Sequence, residues 1–225
     1  MSKSDLVVDW ATHAAAKYAC ENWHYSGCLP VGKLVKVGAW ERNKFIGVVL
    51  FGRGASPQLG KPYNLGQDEC VELVRVALTK HETAVSRIAA LAMKFLHRSN
   101  PKLRLIVSFA DQSQGHHGGI YQAGNWIYTG IGTKKPRLVL PDGSTRHNRL
   151  YQGANKAQIP EGAYWSNATG KHRYLMPLDE DMRGRIMPLS KPYPKREKQA
   201  MTGATGTATG QHRSSRSNSV EVANA

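Results

Sequence analysis

Two nearly continuous apolar runs, Val71–Leu78 and Leu103–Ala110, enclose a segment in which Val85, Ile88, Ala89, Ala92, Phe95 and Leu96 recur at helical spacing. Strands this apolar are of the buried kind, so the order strand, helix, strand constrains the chain more than any other feature. It calls for an α/β fold in which helices flank a central sheet. Upstream, Lys33–Trp40 and Lys44–Phe51 read as an antiparallel hairpin turning at Glu41-Arg42-Asn43. Asp5–Val8 reads as a short strand. Asp9 is the expected cap of a helix whose small or apolar positions are Ala11, Ala14, Ala15, Tyr18 and Ala19. Downstream, GGIYQAGN predicts a short helix stopped near Gly124, then a strand over Trp126–Thr129, and Arg137–Arg146 reads as a last hairpin around Pro-Asp-Gly. Residues 152–194 carry no periodicity that assigns an element.

A chain of 225 residues is long enough for one sizeable core. The organisation expected is a catalytic-size domain over 1–194 with an irregular C-terminal extension, followed by a basic Gly/Ser/Thr-rich tail over 195–225 that lacks the apolar groups to order itself. The net charge of +15 favours a polyanionic partner. From Lys191 onward six Lys/Arg face two Glu, so the tail supplies +4 and the body keeps +11. Cys20, Cys28 and Cys70 match no zinc or CxxC spacing and read as free thiols of a reducing compartment. No apolar stretch approaches a membrane span, so a cytoplasmic protein without a membrane partner is expected.

The blocks WHYSGCLPVGKLVKVGAW, KFIGVVLFGRGA, ELVRVALTKH and VSFADQSQGHHGGIYQAGNWIYTG, in that order over roughly residues 20–135, resemble the Mom family of phage adenine-modifying proteins. The element order and GGIYQAGNWIYTG also resemble the GNAT acyltransferases, which implies a mixed central sheet. One departure stands out. Most coenzyme-A-using GNATs carry a Gly-rich turn before the helix that follows the central strand, where backbone N–H groups bind pyrophosphate. Here that turn is HETAVSR, without glycine.

The resemblance implies acyl transfer to the exocyclic amine of adenine in double-stranded DNA, giving a carbamoylmethyl derivative that protects phage DNA from restriction in the host cytoplasm. Atom counting favours a glycyl donor, because C(O)–CH2–NH2 and CH2–C(O)–NH2 are isomers. Glycyl-tRNA is the favoured source, with tRNA then a second partner; acetyl-coenzyme A is the competing donor, and an iron requirement is left open. Two rival readings are an acetyl-coenzyme-A-dependent N-acetyltransferase of a protein or small molecule, and a noncatalytic DNA-binding phage protein.

Asp111, just past a buried strand, is placed to accept the amine proton or to hold the base; a helix N-cap is the competing account. Tyr121, by resemblance to GNATs, protonates the leaving group or orients the carbonyl, against a simply packed tyrosine. His117 shares a face with Tyr121 if a helical turn precedes GGIYQAG, and is counted as substrate-binding. The adjacent His116 and His117 would point apart on a helix, against a shared metal ion. Arg75, inside an apolar strand, needs a carboxylate, phosphate or substrate partner. Glu72 is the nearest acid but has the opposite strand parity, and is counted with the substrate-binding residues. His24 and Tyr25 of WHYSG stack on or hydrogen-bond an unstacked base, or else form a packed lid. Ser108 adds a hydroxyl to the cleft.

Overall fold

The computed structural model describes residues 5–195 apart from 55–57, 113–114, 133, 135, 152–155 and 168–169. The expected tail over 195–225 falls, but for Lys195, outside the described residues. The elements are β1 (Leu6–Trp10), α1 (His13–Trp23), β2 (Leu34–Glu41), β3 (Lys44–Gly52), β4 (Cys70–Leu78), α2 (Val85–Ser99), β5 (Leu105–Asp111), α3 (Gly119–Ala123), β6 (Ile127–Ile131), β7 (Arg137–Val139), β8 (Thr145–His147), β9 (Tyr164–Trp165), β10 (Lys171–Pro177) and α4 (Glu180–Ile186). The main sheet runs β1-β2-β3-β4-β5-β10-β6, and β8-β7-β9 form a small second sheet. The mixed α/β sheet flanked by helices is thus the fold the chain adopts.

The β2–β3 hairpin turns through Arg42 and Asn43, both left-handed at φ 51° and 62°, which matches the twist of the strands it joins. Thr12, whose side chain accepts from Ala15 N at 3.1 Å, caps α1. Asp9 does not: it lies inside β1, and its carboxylate accepts from Trp10 N. The helix consequently buries Ala16, Ala19 and Cys20, and leaves Tyr18 exposed.

Ala16, Ala19 and Cys20 pack on Val48, Leu50 and Ala77 on one face of the sheet. On the other face α2 sets Ile88, Ala92, Met93 and Leu96 against Val49, Phe51, Leu73 and Ile106. The region left unassigned over 152–194 contains the strand that completes the sheet. β10 pairs with β5 along its whole length and with β6 on its other side. Asp179 caps α4 through Met182 N at 2.7 Å and takes a bidentate ion pair from Arg104 at 2.8 and 2.9 Å, which ties α4 to the start of β5. The Arg137–Arg146 hairpin forms as β7–β8, but it belongs to the small sheet and is followed by β9, β10 and α4.

Candidate active site

The parallel strands β4 and β5 pair only from Cys70↔Leu105 to Leu73↔Ser108 and have no pairing beyond it. The gap between them is where the polar groups gather. Ser108 Oγ, fully buried, lies 2.8 Å from the Leu73 carbonyl and 2.7 Å from the Tyr121 hydroxyl. α3 delivers that tyrosine: Gly118, left-handed at φ 81°, turns the chain into the helix beneath the Tyr174 ring, where a Cβ would come within 2.4 Å. The left-handed step also ends any continuous helical turn before Gly119, so His117 does not share a helix face with Tyr121 as expected. Its carbonyl instead accepts from Tyr174 Oη and Gln122 Nε2. Burial, opposed by the Ser108 hydrogen bond, pushes the Tyr121 hydroxyl up to about 12, so it keeps its proton at neutral pH.

Glu72 and Arg75 lie on either side of the point where the pairing ends, Glu72 still opposite Val107 and Arg75 beyond it. β3 pairs Phe51 with Leu73 and Leu50 with Arg75, so Val74 is an extra residue bulged from the ladder. The bulge overturns the parity argument from the sequence and puts Glu72 and Arg75 on one face, with Gly52 and Leu50 as cross-strand partners. Glu72 lines a cleft of about 370 Å³ together with Val31, Lys33, Arg53 and Gly54. Its carboxylate sits where a Cβ on Gly54 would be, 2.8 Å from Oε2. Among the described residues it has no hydrogen-bond partner, and burial raises its pKa against the weaker opposing pull of Lys171.

Arg75 donates from Nη1 to the Cys28 carbonyl, while its Nε is buried without a partner among the described residues. The partner of this half-buried cation is therefore the backbone of the loop after α1, which it fastens over the sheet. The same loop presents His24 and Tyr25, whose rings lie 4.2 Å apart, and His116 meets Tyr25 edge-on at 5.2 Å. Burial first, then the charges of Arg75 and His116, lower His24 to about 4. Ser26 N–H donates to His24 Nδ1, so the neutral ring carries its proton on Nε2, and Tyr25 is 65% exposed. The structure thus brings Ser108, Tyr121, Glu72, Arg75, His24 and Tyr25 to one region.

Asp111 ends β5, three residues beyond Ser108. Lys171 approaches its carboxylate to 3.4 Å and Arg137 to 4.0 Å. Through these two cations it joins β5, β7 and β10. Among the described residues no group of three or more His, Cys, Asp and Glu side chains forms a candidate metal site.

A contact that sequence reasoning missed lies at the strand-to-helix turn. Glu41, at the end of β2, accepts from Glu82 N at 2.8 Å, Thr83 N at 2.9 Å and Thr83 Oγ1 at 2.5 Å. The turn without glycine therefore already holds an anion, the chain's own carboxylate. No local pattern announces a bond between residues 41 and 82; only the missing glycine marked the turn.

Comparison with known proteins gives one family, described as the Mom protein family, whose model matches residues 5–195. The chain is 25% identical over 206 residues to the methylcarbamoylase mom of Escherichia phage Mu, covering 85% of this chain and 84% of that one. Among solved structures it is similar to an aminoglycoside acetyltransferase in complex with coenzyme A and kanamycin (10% identity, 80% of this chain and 98% of that one, TM-score 0.47). It is also similar to a GNAT family acetyltransferase from Elizabethkingia anophelis with acetyl-CoA bound (12% identity, 78% and 100%, TM-score 0.41).

Proposed function

The chain belongs to the Mom protein family, and from that membership we propose that it transfers a glycyl group to the exocyclic amine of adenine in DNA, in the gap between β4 and β5. The observation that carries this reading is the pair of proton-handling groups at that gap: Tyr121, protonated and held by Ser108 from one face, and Glu72, without a hydrogen-bond partner among the described residues, from the other. Ser108 has one proton. When it donates to Tyr121 Oη, the tyrosine proton is free to point at a leaving oxygen.

Adenine's amine is a poor nucleophile, because its lone pair is delocalised into the ring. Attack on the carbonyl of a glycyl ester forms the N–C bond and breaks the ester C–O bond. Glu72 takes the proton lost by the amine, and Tyr121 gives its proton to the departing ester oxygen. The glycyl amide formed is an isomer of the carbamoylmethyl product. Attack of its free amine on the ring carbon, with cleavage of the original C–N bond, exchanges the attachment without any further reactant. Glycyl-tRNA is the donor class that presents such an ester. Glu41, resident on the backbone donors of the turn before α2, is the reason to prefer it over acetyl-coenzyme A.

The test is mass spectrometry of nucleosides from cells expressing the chain or its Tyr121→Phe variant, grown with carbon- and nitrogen-labelled glycine. Carbamoylmethyladenine carrying both labels, absent with the variant, is the expected result. A modified adenine without glycine label removes the donor assignment, and unmodified DNA removes the reading.

A further inference from the structure

Between β6 and β10 the chain forms the small sheet β8-β7-β9, separate from the main sheet. Leu138 of the central strand is fully buried, with Arg146 and Trp165 as its partners in register. Cross-strand partners project to the same side, so a guanidinium and an indole flank Leu138 on one face. Tyr164, paired with Val139, projects to the other. Tyr164 and Trp165 are 63% and 42% exposed, and Tyr151 meets the indole edge-on at 5.8 Å. Over residues 132–170, six Lys/Arg accompany two acids, Asp142 and Glu161. Lys134, Arg146 and Lys156 are exposed.

We propose that the face of this small sheet bearing Trp165 and Arg146 is a docking surface for an unpaired stretch of nucleic acid next to the target base, with Trp165 stacking on a base and Arg146 meeting a phosphate. Exposed rings set among cations suit unpaired bases, whose faces are open; a duplex hides those faces. The position fits as well. Arg137 of β7 reaches Asp111 at 4.0 Å, and Asp111 stands three residues beyond Ser108, about 10 Å along an extended strand. A strand crossing the small sheet is thus delivered to the gap between β4 and β5. This inference rests on the nucleic-acid reading above.

The experiment is fluorescence anisotropy at fixed salt with a labelled 20-nucleotide single strand and with the same sequence as a duplex. The full chain is compared with Tyr164→Ala, Trp165→Ala and Arg146→Ala, each checked for an unchanged melting temperature. Trp165→Ala should weaken single-strand binding roughly tenfold while leaving the salt slope alone, and Tyr164→Ala, on the opposite face, should change neither. Arg146→Ala should lower that slope by about 0.7, one phosphate's worth. Wild-type binding with unchanged Trp165 and Arg146 variants overturns the docking surface alone, as does an equal loss on the duplex. A wild-type chain that binds neither form overturns the adenine reading with it. If Trp165→Ala melts early it is replaced by Trp165→Leu, which keeps an apolar side chain and removes stacking.

Discussion

Glu72 and Arg75 lie on the same face of β4 because Val74 is bulged out of the ladder between them. The bulge gives each a separate task. Arg75 reaches up to the Cys28 carbonyl and fixes the loop that bears His24 and Tyr25, and Glu72 remains at the cleft without a hydrogen-bond partner among the described residues.

Replacing that carboxylate tests its role as base. Glu72→Gln should lower modification by about 10²–10⁴-fold at neutral pH and abolish the acidic limb of the rate profile, with nucleic-acid affinity kept. Stability should move the other way. Burial raises the folded-state pKa above the unfolded value, so this group's contribution is fully present below the ordinary carboxylate range and is lost as pH rises through the raised value. The glutamine variant is neutral throughout and should melt above wild type at neutral pH but not at pH 4. Equal activity, measured by single-turnover mass spectrometry, would remove Glu72 from the chemistry.

Tyr121→Phe should keep the fold, since Ser108 Oγ retains the Leu73 carbonyl, and lose about 10²–10⁴-fold in transfer rate. The drop belongs in kcat, because the hydroxyl is required at the departing oxygen. A change confined to KM, read from initial rates over a range of nucleic-acid concentrations, would make the tyrosine a binding group only.

Acidification should expose Glu41. Its hydrogen bonds to Thr83 and the Glu82 backbone hold its carboxyl below the usual range, so the stability it contributes is present at neutral pH and is lost as pH falls through the lowered value. The melting temperature of Glu41→Gln should therefore lie below wild type at pH 7 and converge on it in acid. Coenzyme A should give no saturable heat on titration into wild type. Saturable binding would mean that the carboxylate yields its place to a pyrophosphate.

The strands and helices with a clear period were legible in the sequence. β4, α2 and β5 follow from apolar runs and helical spacing, and the β2–β3 hairpin from its turn residues. β10 was not, although it lies inside the sheet between β5 and β6, because Lys171, His172, Arg173 and Tyr174 break any alternation and the fold supplies what pairs with them. The site divides in the same way. Tyr121, Ser108, His24 and Tyr25 were legible through family blocks, whereas a bulge leaves no mark in a run of apolar residues. Parity therefore misplaced Glu72 relative to Arg75, and Asp111 stood out by its place at the end of β5 without any sign of the two cations, Arg137 and Lys171, that meet it there.

Those two cations set the expectation for Asp111→Asn. The change removes the charge that holds Arg137 and Lys171 at the end of β5, and so frees the small sheet. KM for single-stranded nucleic acid should rise by more than kcat falls, and the same variant assayed on a short oligonucleotide that ends at the target should be close to wild type. A loss of kcat as deep as that of Glu72→Gln on both substrates would make Asp111 the base.

The segment after α4 supports Tyr121 from behind, and two truncations separate it from the tail. Lys191 N donates to the Tyr128 carbonyl at 2.8 Å and Tyr193 Oη to the Trp126 carbonyl at 2.7 Å, so residues 190–194 lie along β6. Gln122 of α3 reaches the Pro194 carbonyl at 3.2 Å, one residue from Tyr121. A chain ending at Lys195 keeps all three contacts and should fold and modify adenine, with weaker, less salt-sensitive nucleic-acid binding than the full chain, because fewer cations remain to neutralise phosphates. A chain ending at Leu189 loses them. Each lost hydrogen bond costs about 0.5–1.5 kcal/mol, and the larger effect is on position, since α3 is a single short helix. Thermal melts should show a drop of several degrees, and transfer should fall further than nucleic-acid affinity. If the chain ending at Leu189 is as active as the one ending at Lys195, α3 holds Tyr121 without this support.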